Sequence, residues 1–150
     1  MKIPTFSLSD QDGNTVTNES LKGTWAVVYF YPKDDTPGCT TEACNCRDGR
    51  DMLENYGIKV IGISKDSVKS HKKFSDKHNL GFTLLSDEST KTIQAFGSWK
   101  LKKFMGREYT GINRDSYLID PDGEIVKKYE GINPKNHITE IFEDFKKLSV

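Results

Sequence analysis

WAVVYFYPKDDTPGCTTEACNCRD, residues 25–48, changes character twice in one unbroken stretch. Trp25 to Tyr31 is a continuous run of apolar, aromatic and β-branched side chains, the pattern of a strand covered on both faces. Pro32 ends it, and a helix is expected from about Cys39 to Tyr56, with Gly49 weakening its middle. Cys39, Cys44 and Cys46 all fall in this segment, and the 150-residue chain has no other cysteine.

The flanks supply the rest of the architecture. FSLSDQDGNTVTN reads as a hairpin, with alternating residues either side of an Asp12-Gly13-Asn14 turn. IKVIGIS (58–64) is a second buried-type strand, after which Asp66 is expected to cap a helix. SVKSHKKFSDKHNL forms that helix, polar with a thin apolar stripe, which places His71 and His78 on a solvated face. FTLLSD is a short strand and Ser89 to Phe96 a short helix, while SWKLKKFMGREYTGINR reads as a loop with strand fragments. DSYLID and EIVKKYEG, joined by Pro121-Asp122-Gly123, form a hairpin. A last helix after Pro134 sets Ile138, Ile141, Phe142, Phe145 and Leu148 on one face.

Strands that alternate with helices and close on an antiparallel pair predict an α/β three-layer sandwich, with a mixed central sheet flanked by helices and an N-terminal β-hairpin. A thioredoxin-like architecture fits this order. At this length residues 1–150 fit one domain with a real hydrophobic core. Twenty-two basic side chains balance 22 acidic ones, which argues against nucleic acid or an anionic membrane surface as partner. MKIPTFSLSD has no apolar core of an export signal and no apolar run is long enough to span a bilayer, so a cytoplasmic location is expected.

The clustered cysteines admit three readings. As metal ligands they lack a fourth cysteine, and His71, His78 and His137 form no ligand-like pair. As a structural staple they fail on geometry, because helical residues five apart are displaced about 7.5 Å along the axis and about 140° around it. A disulfide needs α-carbons closer than about 7 Å, so any Cys39–Cys44 bond requires local unwinding. As a reactive thiol, Cys39 is well placed. It opens a helix, where unpaired N–H groups and the dipole favour an anion, and the thiolate is the nucleophilic form. Pro37-Gly38 lets the backbone approach a small ligand, and Thr36 adds a hydroxyl that can donate or accept. Cys39, Ala43, Cys46 and Leu53 share one stripe of the helix. Cys46 therefore reads as a small buried hydrophobe, and Cys44, pointing away, as the better partner for an oxidised Cys39.

Pro32-Lys33-Asp34-Asp35-Thr36-Pro37-Gly38-Cys39 matches the Pro-x-x-x-Thr-x-x-Cys signature of peroxiredoxins. With Thr40, Glu42, Ala43, Cys44, Arg47 and Asp48 the chain resembles the bacterioferritin-comigratory-protein, or peroxiredoxin Q, branch. The likeness continues through Trp99 to Gly111-Ile112-Asn113-Arg114. The resemblance implies a thioredoxin-like fold and a thiol-dependent peroxidase acting on hydrogen peroxide and organic hydroperoxides. It assigns Cys39 as the peroxidatic cysteine and Cys44 as the resolving one, joined by a transient disulfide. Thr36 is then expected to hydrogen-bond the peroxide, Pro32 to shield the pocket and Arg114 to lie beside the thiolate. A thioredoxin or glutaredoxin-like protein is the expected reductant, with no cofactor, no metal and a monomer favoured over a dimer. Cys46 departs from the aromatic or aliphatic residue common in relatives, and either competes in resolution or fills the core. The alternative is a redox-sensing or metal-binding module using Cys44-Asn45-Cys46. A disulfide reductase of the same fold would want Cys-x-x-Cys, which is absent.

Overall fold

The computed structural model describes residues 1–133 and 137–148. Nine strands are named in chain order: β1 (Ser7–Asp10), β2 (Thr15–Thr17), β3 (Trp25–Phe30), β4 (Ile58–Ser64), β5 (Thr83–Ser86), β6 (Trp99–Phe104), β7 (Arg107–Ile112), β8 (Ser116–Ile119) and β9 (Ile125–Tyr129). Five α-helices accompany them: α1 (Pro37–Asp48), α2 (Arg50–Asn55), α3 (Val68–His78), α4 (Lys91–Phe96) and α5 (His137–Leu148). A seven-stranded sheet has the order β2-β1-β5-β4-β3-β8-β9. β3, β4 and β5 run parallel, while β8 lies antiparallel to β3. The sheet is mixed, as the order of elements predicts, and the N-terminal hairpin joins it through β1 and β5.

Period-2 alternation divides the core. Val27, Tyr29 and Tyr31 enter one cluster, together with Cys39, Ala43 and Cys46 of α1, Leu53 of α2 and Ile138, Ile141, Phe142 and Phe145 of α5. Ala26, Val28 and Phe30 enter the other, against Ile93 and Phe96 of α4. This is why the 25–31 run has no polar face: both sides of β3 are covered. The loop leaving the strand, 32–36, delivers the chain to α1, whose Cys39, Ala43 and Cys46 pack in the same cluster.

The structure departs from the sequence expectations at several points. The helix expected over 39–56 is two helices, because Gly49 interrupts the chain between α1 and α2. A β-carbon at Gly49 would come within 3.0 Å of Ile138 Cγ2, so the glycine lets α5 pack close. The irregular stretch 98–114 contains a regular antiparallel hairpin, β6–β7. Met105 and Gly106 make its two-residue turn, both at positive φ (52° and 79°), as a type I′ turn requires. Methionine is not a residue that signals such a turn. Ser67, not Asp66, caps α3, its side chain accepting from Ser70 N. The expected start of the last helix after Pro134 lies outside the described residues. In α5 itself Leu148 is 52 % exposed, at the end of the apolar face rather than within it. Among the described residues no helix is long and apolar enough to cross a membrane.

Candidate active site

Cys39 stands in the first turn of α1, and its side chain is buried. Pro37 occupies the first position of the helix, where a missing N–H costs nothing, and Thr36 is the extended residue before it. Thr36 Oγ1 donates to Lys33 O at 3.1 Å, and Thr36 O accepts from Thr40 N at 2.8 Å. Pro32 is half-buried at the start of the same loop. Cys44 is half-buried, and Cys46 is buried on the core stripe of α1 as the helical wheel predicts. All three cysteines are free thiols. Burial pushes the Cys46 thiol well above its usual range, with the nearby Glu42 and Cys44 acting in the same direction.

Arg114 reaches this helix from the segment before β8. Its Nη2 donates to Cys39 Sγ at 3.0 Å and its Nη1 to Glu42 Oε1 at 3.3 Å. Two features hold it there. Its carbonyl accepts from Ile132 N at 2.9 Å. The adjacent Asp115, fully buried, accepts from Ser98 Oγ at 2.7 Å and from Gly131 N at 3.3 Å. Gly38 gives the guanidinium room: a β-carbon there would lie 2.9 Å from Arg114 Nη2. Lys102, half-buried on β6, donates to Ile112 O. Its ammonium is held below the usual lysine range by burial first and by Arg114 second, with Asp115 and Cys39 opposing.

The loop that carries Thr36 is tied to α3. Asp34 Oδ1 accepts from Tyr31 Oη at 2.5 Å, and Oδ2 accepts from Ser70 Oγ at 2.8 Å. His71 Nδ1 lies 2.7 Å from the same Oδ2, and its Nε2 lies 3.0 Å from Leu85 O. Asp66 Oδ2 accepts from Asp34 N at 2.8 Å and from Ser64 Oγ at 2.6 Å. His71 is thus fully buried, correcting its expected place on a solvated face, and the task that occupies Asp66 explains why Ser67 does the capping. Asp34, Asp66 and His71 bring three potential metal-ligand atoms within 4.8 Å of one another, but each is engaged in the hydrogen bonds just described. His78, nearly two turns further on, lies 3.2 Å from Asp35 Oδ1 at the surface.

Behind Cys39 lies a group that the motif did not announce. Glu42, completely buried, presents its second oxygen to His137 Nδ1 at 3.7 Å. Tyr29 Oη is buried nearby, and its ring centroid is 5.8 Å from that of His137. Burial pushes the Glu42 carboxyl up to about 8, with Arg114 pulling the other way, and burial holds His137 down to about 4.

The AhpC/TSA family model matches residues 1–128. The chain belongs to the AhpC/TSA family. Peroxiredoxin Bcp of Bacillus subtilis is 45 % identical over 148 residues, 99 % of this chain and 94 % of that protein. Peroxiredoxin Bcp of Escherichia coli is 47 % identical over 134 residues, covering 89 % and 86 %. A solved structure of the Xanthomonas campestris bacterioferritin comigratory protein, described by its alkyl peroxide reduction activity, superposes with a TM-score of 0.92 at 34 % identity, covering 97 % and 92 %. Within the family, the chain falls in the Bcp or peroxiredoxin Q branch, and its fold is the thioredoxin-like one.

Of the residues expected to form the site, the structure brings Cys39, Thr36 and Arg114 to the tip of α1 and sets Pro32 at the mouth of the same loop. It keeps Cys44 on another side of the helix. Glu42 entered the sequence reading only through the branch resemblance, and His137 only as an isolated histidine. Its spacing of three residues from Cys39 and four from Cys46 was the signal available for Glu42.

Proposed function

We propose that the chain is a thiol-dependent peroxidase that reduces hydrogen peroxide and organic hydroperoxides at Cys39. The 3.0 Å contact between Arg114 Nη2 and Cys39 Sγ carries this reading, because it sets a cation against a sulfur at a helix N-terminus. The Cys39 thiolate attacks one peroxide oxygen in line with the O–O bond, leaving Cys39–SOH and an alkoxide that is protonated to ROH. Thr36 Oγ1, already donating to Lys33 O, has lone pairs free to accept the peroxide O–H. Arg114 and the first-turn N–H groups of α1 meet the negative charge that develops on the oxygens, and fixed donors of this kind act most strongly in the transition state. Pro32 limits access of water to the loop.

The sulfenic acid then condenses with the Cys44 thiol, forming the disulfide and releasing water. Both cysteines belong to α1, so this step follows local unwinding of that helix. A dithiol protein of the thioredoxin or glutaredoxin class returns both sulfurs to the reduced state. Support comes from the B. subtilis and E. coli relatives, which are named peroxiredoxins, and from the X. campestris relative described as reducing alkyl peroxides. We place the enzyme in the cytoplasm, as one domain and as a monomer.

Intact mass after one equivalent of hydrogen peroxide, followed by peptide mapping, tests the cycle. A Cys39–Cys44 disulfide is expected in the wild type, one added oxygen on Cys39 in Cys44→Ser, and no peroxide consumption in Cys39→Ser. Normal turnover by Cys39→Ser would remove the assignment, and a mapped Cys39–Cys46 bond would move the resolving role.

A further inference from the structure

The peroxidase reading leaves unused the polar groups beneath the Cys39–Arg114 contact. Glu42 Oε1 faces Arg114 Nη1, while Oε2 faces His137 Nδ1 at 3.7 Å with both side chains sealed from solvent. Glu42 Oε2, both His137 ring nitrogens and Tyr29 Oη are buried without a hydrogen-bond partner among the described residues. A carboxylate and an imidazolium are poorly accommodated in such surroundings. An uncharged pair fits them: a carboxylic acid whose O–H points from Oε2 toward the lone pair of a neutral imidazole. The directions in which burial moves the two groups agree with this.

The groups facing Glu42 are Arg114 from the segment before β8, His137 from α5, Tyr29 from β3 and Cys46 on its own helix, and Arg114 links it to Cys39. Arg114 is the one cation among them, and it has two possible counter-charges, Cys39 Sγ and Glu42. While the sulfur is a thiolate it supplies that counter-charge. Once the sulfur carries oxygen its charge is gone, and the guanidinium favours an ionised Glu42.

We propose that Glu42, paired with His137, is a proton reservoir that empties when Cys39 is oxidised and refills when Cys39 is reduced. This deepens the peroxidase reading and rests on it. The oxidative step is Cys39–S⁻ + ROOH + Glu42–COOH → Cys39–SOH + ROH + Glu42–COO⁻. An S–O bond forms, the O–O bond breaks, sulfur is oxidised as the peroxide is reduced, and the carboxyl proton ends on the leaving oxygen. After condensation with Cys44, a thiol donor closes the cycle: Cys39–S–S–Cys44 + 2 R′SH + Glu42–COO⁻ → Cys39–S⁻ + Cys44–SH + R′S–SR′ + Glu42–COOH. Glu42 is a positioning residue for the charge of Arg114 as well as the proton store.

Difference infrared spectroscopy on Cys44→Ser, which holds the sulfenic acid unresolved, tests this with one equivalent of hydrogen peroxide and intact mass on the same sample. The reduced protein should show the C=O stretch of a buried protonated carboxyl, which gives way to carboxylate bands as Cys39 gains one oxygen. The band should be missing in the Cys44→Ser/Glu42→Gln protein, whose amide preserves the shape of the neutral acid. A Cys39 that gains oxygen while the carboxyl band stays unchanged, or a reduced protein without that band, overturns the reservoir and leaves the peroxidase standing. A Cys39 that gains no oxygen sinks the peroxidase reading and the reservoir with it.

Discussion

Arg114 Nη2 and Cys39 Sγ meet at 3.0 Å although 75 positions of sequence separate them. The contact joins the segment before β8 to the tip of α1, and each partner is fixed by its own element: the sulfur by the helix start, the guanidinium by the clamped Asp115 beside it. Replacing Arg114 with alanine removes one preorganised charged donor, and kcat/KM for hydrogen peroxide is expected to fall by about 10²–10³-fold. Stopped-flow peroxide consumption checks this, with lysine at the same position expected to recover only part of the loss, since it lacks the planar fork that serves Cys39 and Glu42 together.

Gly38 offers a gentler probe of the same contact. Alanine there would push against the end of the Arg114 side chain, the part that can move. Helix propensity favours alanine over glycine by about 1 kcal/mol. Gly38→Ala is therefore expected to keep or raise the urea midpoint while lowering peroxidase activity by about 10-fold or more through misplacement of the guanidinium.

Cys46 fills the core and takes no part in the proposed cycle. Cys46→Ala should leave a small void, costing about 1 kcal/mol in urea unfolding, with peroxide turnover nearly unchanged. A large loss of turnover with intact stability would instead give this sulfur a redox role.

The Asp34–His71 network is expected to behave as a buried polar unit. Asp34→Ala leaves Tyr31, Ser70 and His71 without their shared acceptor, and should destabilise the protein by about 3 kcal/mol. The double variant Asp34→Ala/His71→Leu should be more stable than that single variant, because it removes the stranded imidazole as well. Chemical denaturation of the four corners of this cycle measures the coupling.

Stability of the reduced protein should depend on pH through the Glu42–His137 pair. Glu42 keeps its proton in the fold up to about 8 against an ordinary 4.5, so its contribution is fully present below 4.5 and is lost as pH rises to 8. His137 is held neutral down to about 4 against an ordinary 6.5, so its contribution is present above 6.5 and is lost as pH falls to 4. The two slopes oppose each other between 4.5 and 6.5, leaving Glu42 alone to act from 6.5 to 8. There the unfolding free energy should drop by about 1.4 kcal/mol per pH unit from this group. In Glu42→Gln that decline should vanish.

Much of the fold was legible because it rests on local pattern. The 25–31 run, the 58–64 run and the flanking hairpins each announce themselves by burial period and turn residues, and the wheel separates Cys46 from Cys44. What was hidden depends on partners distant in sequence. His71 sits in a helix rich in lysine and serine, and only a loop 37 residues earlier makes it a buried residue. Arg114 was located by family resemblance, since no spacing rule links it to Cys39. The β6–β7 hairpin was obscured by the lysines of β6 and by a methionine at the turn. His137 looked solitary because its neighbour, Glu42, comes from another helix.

Gly49 sets a boundary on how far damage to order can travel. Since α1 and α2 are already separate segments, α1 can come apart while α2 stays anchored by the fully buried Leu53, worth about 2 kcal/mol of apolar burial. The glycine works like a firebreak: the proposed joining of Cys39 and Cys44 need melt only one short helix, and α2 keeps its place in the interior while that happens.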